Sequence, residues 1–270
     1  MIGVFDSGFG GLTVLRELVR VLPSYDFLYL GDNARAPYGS RSFEAIHRYT
    51  WEAVNFLFSK GCPLVILACN TASARALRTI QNRELIHEAP DRRVLGVLRP
   101  VTEIVGKETR SGHIAILGTQ GTVRSCSYPL EIAHFWPNLV VSQQACPMWV
   151  PLVENGELDS EGARFFVHRD LRQVLERDPL IDLMVMGCTH YPLLMDLARS
   201  EAPKTIHFLN QGKVVANRTV DYLQRHPEMD ARMSKNSSVQ FLTTDTVEHF
   251  ENGARLFFGS PVQATQVKIG

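Results

Sequence analysis

Short apolar runs and amphipathic stretches alternate along the whole chain. Ile2–Asp6, Phe27–Gly31 and Leu64–Ala68 are brief, nearly continuous apolar runs and read as strands. After the first, Leu12, Leu15, Leu18, Val19 and Leu22 recur at helical spacing. After the second, Phe43–Lys60 reads as a long helix with Ile46, Tyr49, Val54, Leu57 and Phe58 inward, and Ala72–Gln81 reads as the helix after the third. The alternation then repeats. Strands fit Val94–Val97, Ile114–Leu117, Leu139–Ser142, Leu183–Met186, Ile206–Leu209 and Val239–Thr243. Helices fit Thr102–Thr109, Trp149–Asn155, Glu161–Glu176, Leu193–Glu201, Val214–Arg225 and Val247–Phe258. Continuous apolar strands alternating with helices predict an α/β protein with mostly parallel sheets covered on both faces.

One stretch echoes another. Leu64-Val65-Ile66-Leu67-Ala68-Cys69-Asn70-Thr71 resembles Leu183-Met184-Val185-Met186-Gly187-Cys188-Thr189-His190, almost half the chain later. Each is a buried strand, a small residue, a cysteine and then polar residues. Two similar α/β domains related by a pseudo-two-fold axis account for this. The expected division is residues 1–95 plus 210–270 as one discontinuous domain and 96–209 as the other, with the active site between them.

Composition narrows the function. Hydrophobic residues make up 45% and charged residues 21%, as in ordinary globular enzymes. Lys plus Arg and Asp plus Glu number 28 each, so no broad field points to nucleic acid or to an anionic membrane. The start, Met1-Ile2-Gly3-Val4, has neither a basic nor an apolar leader region, and the longest apolar runs are too short to span a bilayer. A cytoplasmic protein acting on a small molecule is expected.

Five cysteines, Cys62, Cys69, Cys126, Cys146 and Cys188, form no C-x-x-C and are odd in number, so free thiols are expected. Cys69 and Cys188 fall at the carboxyl ends of strands, where open α/β sheets bind ligands, and just before helix starts, which favour a thiolate. Cys62, Cys126 and Cys146 lack that setting and read as buried filler. Asp6-Ser7-Gly8-Phe9-Gly10-Gly11 follows the first strand. It is either a plain strand–helix turn or a loop presenting a carboxylate and a hydroxyl. Thr13 breaks the dinucleotide-binding glycine pattern, and no phosphate-loop lysine follows. Tyr38 packs in its loop or lines a site. His190, two residues after Cys188, is a proton partner or a ligand, but no metal-ligand spacing surrounds it. Glu154 by default is a solvated acid at a helix end.

These segments, in order over almost the whole chain, resemble the glutamate racemase family. They are Phe5 to Val14, Gly31-Asp32 with Pro37-Tyr38-Gly39, Ala68 to Ser73, Gly118 to Thr122, Cys146-Pro147 through Glu154-Asn155-Gly156, and Gly187 to Pro192. The resemblance implies two facing α/β domains that hold glutamate between them. It implies racemisation without a cofactor or metal, supplying D-glutamate for peptidoglycan synthesis, and it leaves a homodimer open. By position, Cys69 and Cys188 resemble the paired acid/base thiols. Asp6 and His190 resemble the groups that assist them, with Glu154 near the second. Asp6, Ser7, Tyr38, Gly39, Asn70, Thr71, Thr119, Thr122, Thr189 and His190 resemble the substrate-binding set. Two departures stand out: Asn210-Gln211 where the family usually reads Asp-Ser, and Arg99 where an acid or lysine often precedes the proline of a mid-chain strand. An aspartate racemase is the rival enzyme. A non-catalytic amino-acid-binding or thiol-redox protein is the rival from another class; retention of both cysteines with Asp6 argues against binding alone, and the lack of C-x-x-C argues against redox.

Overall fold

The computed structural model describes all residues from Met1 to Gly270. Ten strands form: β1 (Ile2–Asp6), β2 (Phe27–Gly31), β3 (Leu64–Leu67), β4 (Arg93–Gly96), β5 (His113–Gly118), β6 (Val140–Ala145), β7 (Leu183–Gly187), β8 (His207–Leu209), β9 (Val239–Thr243) and β10 (Ala264–Gln266). Six make one sheet in the order β10-β9-β2-β1-β3-β4, and four make another in the order β6-β5-β7-β8. Every pairing is parallel. The inner strands β1, β2, β3 and β7 are buried along their full length. This is why they read as unbroken apolar runs rather than as alternating ones.

The strand orders disclose a repeat that is deeper than the two cysteine segments. Within the larger sheet the first four strands run β2-β1-β3-β4, and the smaller sheet runs β6-β5-β7-β8. Strand for strand these are the same arrangement, with β9 and β10 added to one edge of the first. An apolar core runs without a break through both sheets, from Ile2, Val14 and Leu64 to Ile114, Leu117 and Met186. The late helix Gln211–Arg225 packs on Leu12–Val21, which ties the return of the chain to its beginning.

Several elements differ from the sequence pattern. Gln120–Ser125 and Ser127–Phe135 are helices that the pattern does not reveal, because Gly121, Thr122 and Pro129 are poor helix formers and only their packing compensates. The helix expected at Ala72–Gln81 starts at Asn70, breaks at Ala76 and continues through a π turn to Glu88. Strand β6 extends through Gln143 and Gln144 because it is a half-exposed edge strand. The three-residue strand β10 has too short a pattern to read. Arg99 is not on a strand: it lies in the helix Leu98–Thr102, exposed, with Nε 3.1 Å from Glu103 Oε1. Asn210 caps the helix Gln211–Arg225 by accepting from the Gly212 N–H at 3.0 Å, a task the usual Asp does equally well. No helix is long and apolar enough to cross a membrane.

Candidate active site

Register decides where the functional loops emerge. Phe5 pairs with Leu67 across β1 and β3, so Asp6 and Cys69 leave neighbouring strands at the same sheet edge. Gly118 pairs with Gly187 across β5 and β7, so Thr119 and Cys188 do the same in the other sheet. In both sheets these are the strands at which the order reverses direction, the place where parallel α/β sheets open a crevice. Both edges line one cavity of about 280 Å³. This is at the small end for ligand pockets and suits a small molecule.

Most of the residues singled out from the sequence meet there. Ser7, Tyr38, Gly39, Cys69, Asn70 and Thr71 line the cavity from one side, and Thr119, Glu154, Cys188, Thr189 and His190 from the other. Asp6 and Thr122 do not line it; both are buried behind the wall. Asp6 accepts hydrogen bonds from the Gly8 N–H at 2.9 Å and from Thr189 Oγ1 at 3.4 Å. Thr122 Oγ1 lies 3.2 Å from Thr119 Oγ1 and 3.4 Å from Thr71 Oγ1.

The two cavity-lining strand-end thiols have different surroundings. Cys69 caps the short helix Asn70–Arg75, its sulfur accepting from the Ala72 N–H at 3.4 Å, and Ser7 Oγ lies 3.5 Å away. The helix start was expected to favour a thiolate. Instead burial, followed by the negative Asp6, pushes the thiol up to about 12, and the hydrogen bonds from Ser7 and Ala72 offset this only in part. Cys188 sits at no helix start; the next helical turn, Tyr191–Leu194, begins three residues later. Its neighbour is His190, with Nδ1 3.9 Å from the sulfur and Nε2 2.9 Å from Glu154 Oε1. Burial works against charge on the ring. Hydrogen bonds and opposite charge from Cys188 and Glu154 outweigh it and push His190 up to about 10. Asp6 is raised by burial, which the nearby His190 and the Gly8 and Gly11 N–H groups oppose.

Tyr38 is fully buried, and its hydroxyl donates to Asp32, so that proton is committed within the protein. Burial first, and then Asp32, pushes the phenol up. Tyr38 therefore offers the cavity a ring wall and a fixed loop.

Polar contacts cross between the two sheet edges. Thr71 Oγ1 and Thr119 Oγ1 are 2.9 Å apart, Thr13 Oγ1 donates to the Thr189 carbonyl at 3.0 Å, and Tyr128 OH donates to Asn70 Oδ1 at 2.9 Å. Gly10 is needed at this seam: a Cβ there would lie 2.2 Å from Thr189 Oγ1 and 2.4 Å from His190 Nδ1. Sequence reasoning missed Tyr128 and Thr13, which show no local signal. It also read Cys146 as filler. Cys146 is buried, but it lines the cavity, and burial pushes its thiol well up. The Cys146-Pro147 motif was the available signal. Cys126 is not filler either: it is exposed, at φ 53° between two helices. Cys62 is buried, as filler should be.

No family model matches the chain. It is 37% identical over 268 residues to the glutamate racemase of Persephonella marina, covering 99% of this chain and 97% of that protein. The crystal structure of glutamate racemase isoform RacE1 from Bacillus anthracis matches it with a TM-score of 0.89 at 32% identity, over 99% of this chain and 97% of that one. The glutamate racemase of Francisella tularensis, solved in complex with D-glutamate, matches with a TM-score of 0.87 at 26% identity, again over 99% and 97%. Relatedness at this level over nearly the full length of both chains, joined to the same two-sheet architecture, places the chain in the glutamate racemase family of cofactor-independent isomerases.

Proposed function

We propose that this enzyme interconverts L- and D-glutamate by a two-thiol, two-base mechanism, supplying D-glutamate for peptidoglycan synthesis in the cytoplasm. One observation carries the reading: two buried thiols, Cys69 and Cys188, line one cavity from matching strand ends of two sheets with the same core order. Residues 1–95 with 210–270, and residues 96–209, act as the two domains that hold the substrate between them.

Inverting a carbon centre removes a proton from one face and delivers another to the opposite face. One base would have to cross the substrate, so two are the natural solution. A thiolate takes the α-proton and the other cysteine gives its S–H proton to the opposite face. The first cysteine ends as thiol and the second as thiolate, and exchange with water resets them. His190, paired with Glu154, stands beside Cys188, while burial favours the thiol form of Cys69. One direction starts with Cys188 as base and Cys69 as acid, and the reverse direction starts from the exchanged state. The carbanion develops charge on the α-carboxylate. Donors from Asn70, Thr71, Thr189 and loop amides stabilise it.

The test is a chiral assay on L-glutamate, D-glutamate and L-aspartate, repeated in heavy water. Racemisation of both glutamates, with deuterium at the α-carbon of the first product formed and little in the remaining substrate, is the expected result. Unlabelled initial product would mean a single shielded base and would end the two-thiol reading. Turnover of aspartate in preference to glutamate would end the substrate assignment.

A further inference from the structure

Three buried polar side chains meet beside the cavity, and their hydrogen bonds are unbalanced. Tyr128, Asn70 and Gln211 are each at most 2% exposed. Tyr128 Oη lies 2.9 Å from Asn70 Oδ1 and 3.4 Å from Gln211 Oε1. A phenol has one proton and cannot serve both oxygens well. Meanwhile Gln211 Nε2 and Asn70 Nδ2 have no partner in the protein. A buried N–H without a partner is costly, and here two whole amide NH₂ groups lack one. Burial pushes the Tyr128 phenol upward, so its proton stays in place.

A half-turn of the Gln211 amide removes the competition for the Tyr128 proton. Its NH₂ group then donates to the lone pair of Tyr128 Oη, and the Tyr128 proton goes wholly to Asn70 Oδ1. The Gln211 oxygen then takes the place of Nε2, and of the three side chains' donor nitrogens only Asn70 Nδ2 is left without a partner; Asn70 lines the cavity. We propose that Gln211 and Tyr128 are positioning residues: they form a one-way chain, Gln211 amide to Tyr128 hydroxyl to Asn70 carbonyl, which fixes Asn70 with its NH₂ free for the carboxylate of the substrate. The inference rests on the proposed function, in which Asn70 donates to glutamate. It gives a task to Gln211, one of the two departures from the family pattern. It also makes substrate binding depend on Tyr128, which reaches Asn70 from the segment carrying the other sheet.

The two residues separate this from a packing role. In Tyr128→Phe the ring stays but Asn70 Oδ1 loses its donor, so the amide is free to turn its oxygen to the cavity. The KM for both enantiomers of glutamate should rise about tenfold, the effect of one buried hydrogen bond, while kcat changes by less than about threefold. Gln211→Glu is nearly isosteric, but its carboxylate accepts only. It takes the Tyr128 proton from Asn70 and should raise KM about as much at pH 8. Gln211→Met leaves the Tyr128 proton on Asn70 and should raise KM no more than about threefold. Thermal melting of each variant monitors folding, and the two Gln211 variants carry the test if Tyr128→Phe does not fold. An unchanged KM in Gln211→Glu, or equal KM values in Gln211→Glu and Gln211→Met, would overturn the chain. Wild-type enzyme is assayed in the same series. If it fails to racemise glutamate, the proposed function falls and this inference with it. If it does so and only the variant pattern fails, the positioning role alone is lost.

Discussion

Cys69 and Cys188 occupy equivalent places in two copies of one strand arrangement, yet their neighbours could hardly differ more. Cys69 has a hydroxyl, a backbone N–H and a buried carboxylate near it. Cys188 has an imidazole backed by a glutamate. Topology alone therefore supplies position: the third strand of each four-strand order delivers a thiol to the crevice. It does not supply protonation state. Burial and then Asp6 favour the thiol form of Cys69, whereas Cys188 has the His190–Glu154 pair beside it. Under the proposed mechanism, two unlike surroundings on a symmetric frame would set the two directions of the reaction apart.

The strongest way to break this comparison is to remove a thiol. Cys69→Ser and Cys188→Ser should each cut racemisation by about a thousandfold or more in both directions, because an alkoxide is far harder to form than a thiolate. Circular dichroism of the reaction from each enantiomer measures it. Near-normal turnover in either variant would exclude that cysteine as a base.

Removing the asymmetry itself should cost less. His190→Asn should lower kcat about a hundredfold, within the range of a positioned acid/base group, with the larger loss in the direction that starts from Cys188 as base. Equal losses in the two directions would mean that His190 does not belong to one thiol. The seam between the halves gives a third test. Gly10→Ala pushes a methyl group against Thr189 and His190. It should destabilise the fold by about 1–3 kcal/mol and, by displacing the Cys188 side, reduce kcat up to about a hundredfold. Thermal melting and steady-state kinetics separate the two effects.

A smaller effect sharpens the His190 assignment through pH. Its raised value, about 10 against an ordinary 6.5, means the charged ring stabilises the fold fully below pH 6.5; that contribution declines above it and is gone once the pH has risen past about 10. Activity from the Cys188 side should fall on the alkaline side near the same value. Glu154→Gln removes one of the two partners that raise it, so the alkaline limb should move to lower pH and kcat at neutral pH should drop about tenfold. An unmoved limb would show that another group sets it. The smallest effect is expected at Cys126, which is exposed and does not line the cavity. Cys126→Ala should leave turnover unchanged, and alkylation should label Cys126 first, before activity is lost, as mapped by mass spectrometry.

What the sequence determined by itself was the alternation of strands and helices, the parallel sheets, the echo of the two cysteine segments and most of the cavity wall. These are legible because a strand buried on both faces writes its environment as a continuous apolar run, and because loops at the ends of such strands carry their chemistry in consecutive residues. Asp6-Ser7, Cys69-Asn70-Thr71 and Cys188-Thr189-His190 could be found this way. Gln120–Ser125 and Ser127–Phe135 could not, since their helicity comes from packing against the helix Asn70–Arg75 and its surroundings rather than from propensity. Only the tertiary structure decided which groups stand beside which thiol. It brought Glu154 to His190 across 36 positions, Thr189 to Asp6 across 183 and Tyr128 to Asn70 across 58. It also opposed the local reading of Cys69: the start of a helix favours a thiolate, but a short helix offers little field, and burial outweighs it. Local pattern records which face of an element is buried. How deeply a charge is buried, and what stands opposite it, belongs to segments that meet only when the chain is folded.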